Sequence, residues 1–230
     1  MKQNKYKYIA HSENSNGEEQ SMKQHSEGVA ELMKSFALAD DFAEIYSYCG
    51  LLHDIGKYSK EFQNYIRSRG EKEPHAKWGA YMAMSKNVAF PIIGHHAGLP
   101  NRDMLFKTLE QCAKDENRYN QIHQAMEEDD FIISTCENSS FNKIGDVFQK
   151  ELFVRLLYSA LVDADSLDTE RHFRKGQSDA RSCKILDVDT LLAALNKRFD
   201  SFRQVTSLNG LRTNVRLYAQ SLANTDQGCF

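Results

Sequence analysis

Proline and glycine are scarce in this 230-residue chain, at 3 and 12 residues. Alternating runs of β-branched residues are also few, so helix is favoured over sheet. The five cysteines (Cys49, Cys112, Cys136, Cys183 and Cys229) include no Cys-x-x-Cys pair. That spacing excludes a zinc ribbon and supplies no disulfide framework, and it fits a reducing cytoplasm. No apolar run approaches the roughly 18 residues that a membrane span needs. The start, Met1 to Lys5, leads into polar residues, so no secretory signal is expected. A net charge of −3 argues against an extended surface for nucleic acid and leaves only a local basic patch for that purpose. What remains is ordinary for a globular protein, 41% hydrophobic and 27% charged, and long enough to bury a core without metal or disulfide staples.

The chain is organised around Gly50-Leu51-Leu52-His53-Asp54-Ile55-Gly56-Lys57. Phe42 to Ile55 is predicted as a central helix, started by Asp41 and Glu44 and ended at Gly56. His53 and Asp54 point about 100° apart on a helix, so they cannot share one narrow buried stripe, but both reach one ion lodged beside the helix end. Imidazole is the commonest transition-metal ligand, and a carboxylate can bridge two ions. The segment superficially resembles a phosphate-binding loop. Its spacing is one residue too long and no Ser or Thr follows Lys57, so ATP binding is rejected.

Around this stretch, residues 6–10 are predicted as a short extended piece, followed by a polar loop to Gln20. Ser21 and Gln24 form a capping box opening a helix that carries His25 and the apolar face Val29, Leu32, Met33 and Phe36. Residues 58–67 form another helix, and a charged loop then reaches His75. Short pieces over 78–84 and 88–93 lead into Gly94-His95-His96-Ala97-Gly98, where the glycines loosen the backbone enough to turn both rings inward. Residues 102–128 read as one or two solvated helices. A second apolar helix over 146–167 contains Asp163 and Asp165. On a helical wheel both fall at the edges of the polar face, and periodicity does not choose between them. A polar link covers 171–186, Asp189 caps a helix to Phe202, and an amphipathic piece covers 208–222. The expected fold is all-α, a bundle of seven to ten helices with a metal site between central helices.

The order His25, then His53-Asp54, then Asp165 in Ala164-Asp165-x-Leu167 resembles the H…HD…D pattern of the HD metal-dependent phosphohydrolases. Tyr8-Ile9-Ala10-His11-Ser12, the His75 and His95-His96 insert, and Ser159 to Asp165 are similar to a narrower group, the HD nuclease domain of the CRISPR-associated helicase-nuclease of type I systems. Leu208 to Phe230 resembles the segment leading into that family's helicase core. The resemblance implies an HD nuclease domain over residues 1–205 and, over 206–230, a segment leading toward a helicase domain absent from this chain. It implies that His25, His53, Asp54 and Asp165 hold one ion, with Asp54 bridging to a second held by His75, His95 and His96. It selects Asp165 over Asp163 and leaves His11 without a role. His53, Asp54 and Lys57 would be catalytic, Lys57 neutralising charge on the scissile phosphate.

The expected reaction is metal-dependent hydrolysis of single-stranded DNA in CRISPR interference, an antiviral defence. The partners would be the helicase domain of the parent protein and the guide-RNA surveillance complex, in the cytoplasm and with no membrane. An imidazole-rich site favours two divalent ions of the Mn, Fe, Co, Ni or Zn kind, with weaker support from Mg. Lys57, Lys60, Arg67, Arg69 and Lys77 would rim the substrate, with Tyr58 or Trp78 stacking a base. The competing readings are an HD nucleotidase or cyclic-nucleotide phosphodiesterase, a non-catalytic HD docking module, and, for the basic cluster, a solvated helix face.

Overall fold

The computed structural model describes residues 5–68, 70–133, 136, 144–180, 187–202 and 206–221. The chain divides into two compact units, Met1–Arg181 and Ser182–Phe230. The first opens on a two-stranded antiparallel ribbon, β1 (Ile9–His11) paired with β2 (Gln20–Ser21). The extended piece is therefore shifted toward His11, and the end of the polar loop supplies its partner. Helices follow as α1 (Met22–Ser35), α2 (Ala43–Leu52), α3 (Lys60–Ile66), α4 (Ala76–Met82), α5 (Lys86–Gly94), α6 (Arg102–Ala113), α7 (Glu116–Glu128), α8 (Val147–Phe173) and α9 (Lys175–Ala180). The second unit holds α10 (Val188–Asp200) and α11 (Ser207–Ser221). The fold is all-α, as expected.

The described residues contain eleven α-helices, more than the seven to ten predicted. The apolar helix over 146–167 runs on to Phe173, and the polar link contains α9. Asp187, not Asp189, caps α10 by accepting from the Thr190 amide at 3.0 Å. Within the second compact unit, α10 groups with the segment that follows it.

The capping box of α1 is formed in both directions between Ser21 and Gln24. It fixes the helix start and with it the placement of His25 in the first turn. The core lies where α1, α2, α5 and α8 meet, and Val29, Met33, Cys49, Ile92, Leu157 and Leu161 are fully buried there. The Val, Met, Ile and Leu side chains among them each contribute about 1.5–3 kcal/mol. The crossing of α1 and α2 is close because Gly50 has no side chain. A Cβ at that position would lie 2.7 Å from the Ala30 Cα. This crossing brings His25 and His53 to the same side of the bundle.

Candidate metal centre

His53 and Asp54 sit just past the end of α2. The predicted helix to Ile55 stops at Leu52, because Asp54 turns the chain (φ −112°, ψ 11°) into a short 3₁₀ turn over Ile55–Tyr58. Leaving the helix lets both side chains face inward, and both are fully buried. His25 approaches from α1. Its Nε2 lies 3.2 Å from Asp54 Oδ2, 3.4 Å from Asp165 Oδ1 on α8, and 3.2 Å from His53 Nε2. The His53 Nε2 is in turn 3.3 Å from Asp54 Oδ2 and 3.8 Å from Asp165 Oδ1.

The other oxygen of the same carboxylate faces a second group. Asp54 Oδ1 lies 3.0 Å from the Nε2 of His75, at the start of α4, and 3.5 Å from that of His95, just past α5. His96 completes this group, its Nε2 2.9 Å from that of His75. Two features set the approach of these segments. A Cβ on Gly56 would lie 2.1 Å from the His75 carbonyl oxygen, so only glycine lets that strand of chain pass. After the doublet, Gly98 takes φ +93°, a conformation open to glycine at no steric cost, and its amide donates back to Gly94 at 2.7 Å.

The residues present fit divalent ions. Donor atoms about 2.0–2.2 Å from an ion stand roughly 3–3.6 Å apart around it, close to the separations in both groups. The His53 Nδ1 hydrogen is engaged by the Gly50 carbonyl at 2.7 Å, and His95 Nδ1 donates to the Ile92 carbonyl. Their Nε2 lone pairs are therefore the atoms that face the centre. Asp54 Oδ1 and His95 Nε2 are buried and make no hydrogen bond, an arrangement costly for polar atoms unless a cation lies between them. Two sets of four residues that share Asp54 could each hold an ion: His25, His53, Asp54 and Asp165, and Asp54, His75, His95 and His96.

The electrostatics carry the same demand for positive charge. Burial opposes protonation of His25, but its contacts with Asp165, Asp168 and Asp54 outweigh that and raise the pKa to about 9. For His53, burial is again opposed, chiefly by the Asp54 charge and by Asp165, giving about 10. Burial would raise the Asp54 and Asp165 carboxyls. For Asp54 the charges of His53 and Lys57 win, for Asp165 the hydrogen bonds to His25 and His53, and both are held well below the usual carboxylate range. His96 is pushed down to about 4 by desolvation and by its neighbour His95.

The remaining predicted residues divide. Lys57 joins the centre: it is buried, with Nζ 2.6 Å from Asp54 Oδ2. Lys60 is exposed but lines a hollow with Tyr8, Gln63, Gln121 and Glu128, to which no histidine contributes. Trp78 is only 2% exposed. A Cβ on Gly79 would lie 2.0 Å from the Leu52 carbonyl oxygen, so α4 sits tightly on the end of α2 and turns the indole into the core. The ring has no open face for a base. Tyr58 is likewise buried and donates to Asp129. Arg67 is occupied by Gln63 and by the carbonyls of Tyr6 and Lys7, and Lys77 lies over the Trp78 ring. Arg69 lies outside the described residues. Asp163 is exposed, whereas Asp165 faces His25 and His53, a difference that periodicity does not give.

Sequence reasoning passed over Asp168. It is 2% exposed, and its Oδ2 lies 2.8 Å from His25 Nδ1. Leu157, Leu161, Ala164 and Asp168 follow one another at intervals of four, three and four along the buried face of α8, so a carboxylate in a core register was the available signal. His11 packs edge-on against His25 at 4.7 Å between ring centroids and meets the Thr169 hydroxyl at 3.3 Å. Burial, helped by the charges of Lys57 and His25, pushes its pKa down to about 2, so it is neutral.

Residues 22–128 match the family described as the HD domain. The matched segment contains His25, His53, Asp54, His75, His95 and His96. Asp165 comes from α8, outside it. No curated protein matches the chain. An HD domain with these His/Asp clusters points to a metal-dependent phosphohydrolase. Among the described residues no helix is long and apolar enough to cross a membrane.

Proposed function

We propose, for a chain that carries an HD domain, a metal-dependent nuclease that hydrolyses phosphodiester bonds of single-stranded DNA in CRISPR interference. Its partners in this reading are a helicase domain of the same parent protein and a guide-RNA surveillance complex, with Mn²⁺, Fe²⁺, Co²⁺ or Ni²⁺ preferred over Mg²⁺. The observation that carries the hydrolytic part is Asp54, whose two oxygens face two separate histidine groups. The strand-cleaving part is supported by the resemblance carried by Tyr8 to Ser12, the histidine insert and Ser159 to Asp165.

His25, His53, Asp54 and Asp165 would hold one ion, and His75, His95 and His96 with Asp54 the other. Divalent ions held there would supply a bound water whose pKa drops from 15.7 toward about 7, a difference of about 12 kcal/mol in proton affinity, and would neutralise charge on phosphate oxygens. The protein's own part is to hold that chemistry in place. The Gly50 and Ile92 carbonyls fix the His53 and His95 rings with Nε2 inward. Lys57 places Nζ beside Asp54, where it would offset the negative charge that an arriving phosphate adds. The exposed His96 marks the edge from which a strand would approach.

The test is cleavage of circular single-stranded DNA by the full chain with Mn²⁺. The wild type should linearise and then degrade the circle, and His53→Ala with Asp54→Ala should abolish this while leaving the helical circular dichroism unchanged. Intact circles together with phosphate or nucleoside released from dNTPs would replace the nuclease by a nucleotide phosphohydrolase. Neither activity, in a protein that takes up no ion, would leave a docking module.

A further inference from the structure

The histidines of the centre are not oriented alike. His53 and His95 direct Nδ1 at backbone carbonyls, whereas His25 directs Nδ1 at a carboxylate, Asp168 Oδ2, at 2.8 Å. That carboxylate is itself fixed. Gln20 Nε2, on β2, donates to the same oxygen at 2.7 Å. Arg171 Nη1 lies 3.8 Å from the other oxygen. A Cβ at Gly28 would come within 2.4 Å of Asp168 Oδ1, so glycine on α1 makes room for the carboxylate.

We propose that Asp168 is a positioning residue that makes the His25 side of the centre the tighter of its two ion positions. The inference rests on the metal-dependent reading above and concerns a residue outside both ligand sets. A bond from an imidazole N–H to an ionised carboxylate is roughly twice as strong as one to a neutral acceptor. It fixes the ring with its Nε2 lone pair inward and raises the basicity of that atom, and loss of such a partner costs about 10–100-fold in metal affinity. The first position thus has two carboxylates facing it, Asp54 and Asp165, and a third behind His25. The second has one oxygen of Asp54 and three imidazoles, one of them exposed. The asymmetry predicts sequential loading, the His25 side first.

Mn²⁺ titrated calorimetrically into the chelator-stripped full chain tests this. The wild type should show a tight and a weaker class of site. Asp168→Asn, which keeps the shape and removes the charge, should weaken the tight class by about 10–100-fold and leave the weaker one in place. His96→Gln should do the reverse. Unchanged affinity in Asp168→Asn, or an equal loss in both classes, overturns the proposal. Should that variant not fold, nitrogen-15 histidine spectra of the Zn²⁺-loaded wild type decide, with the signal assigned by His25→Gln. A slowly exchanging hydrogen on His25 Nδ1 supports the proposal, and its absence overturns it. A wild type that binds no divalent ion takes down the metal-dependent reading and this inference together. A wild type that binds Mn²⁺ normally beside an unaffected Asp168→Asn removes only the role of Asp168.

Discussion

His25 Nε2 and His53 Nε2 face each other at 3.2 Å while the Nδ1 atoms of both rings are engaged elsewhere, by Asp168 and by the Gly50 carbonyl. Two lone pairs that close together repel unless a cation lies between them or a proton sits on one. Supplying the cation should therefore stabilise the fold. At free ion about 100 times its Kd, linkage contributes about 2.7 kcal/mol, which for a unit of this size is a rise of roughly 5–10 °C in Tm. Thermal melts with Mn²⁺ and with excess chelator measure it. Superimposable melts would show that no ion occupies this gap.

Without an ion, protons must take its place, and this gives a signed pH dependence. The pKa values of His25 and His53 are raised in the folded state, to about 9 and about 10, from an ordinary 6.5. The stability they contribute is fully present below pH 6.5 and is lost as pH rises through 9 to 10. Asp54 and Asp165 act oppositely: their carboxyls are depressed, so their contribution holds above the ordinary carboxylate range and is lost in acid. The chelator-treated protein should lose Tm steadily between neutral pH and pH 10, and the Mn²⁺-loaded protein should lose less, because an ion replaces the protons. A flat profile for the chelated protein contradicts the coupling of these histidines to the carboxylates.

Much of this site was readable before any coordinates. The capping box located His25 within one turn, and the His53-Asp54 pair stood out because a charged doublet ended an apolar run. Other residues needed tertiary information. Asp168 occupies a core register on α8, yet a charged residue beside Glu170 and Arg171 reads as surface. Trp78 beside Lys77 reads as a stacking platform, and only the contact of Gly79 with the Leu52 carbonyl shows why the ring turns inward. Spacing along one helix also cannot tell which of two aspartates faces His25 and His53, which lie more than a hundred residues earlier.

The two aspartates of α8 give the sharpest contrast in activity. Asp165 approaches His25 at 3.4 Å and His53 at 3.8 Å, whereas Asp163, two residues away, is exposed. Asp165→Ala should remove Mn²⁺-dependent cleavage of circular DNA. Asp163→Ala should leave cleavage intact and move stability by no more than about 0.5 kcal/mol, as surface changes usually do. Equal loss in both variants would mean that α8 matters for packing and not for the ligand it presents.

The α1–α2 crossing should be the mechanical weak point of the centre. Gly50→Ala would gain up to about 1 kcal/mol in helix propensity. Its Cβ, however, would meet Ala30 Cα at 2.7 Å and Ala30 N at 2.9 Å, backbone atoms that cannot rotate aside. Overpacking of this kind costs about 1–3 kcal/mol, so with the full propensity gain set against it the net change is a loss of up to about 2 kcal/mol. Because the Gly50 carbonyl also holds His53 Nδ1, separating the helices should weaken Mn²⁺ binding as well as lower the urea midpoint. Gly210→Ala on α11, where a Cβ meets nothing within 4 Å, isolates the propensity effect and should be neutral or stabilising. If Gly50→Ala matches the wild type in both urea midpoint and Mn²⁺ affinity, the close crossing is not what sets the distance between His25 and His53.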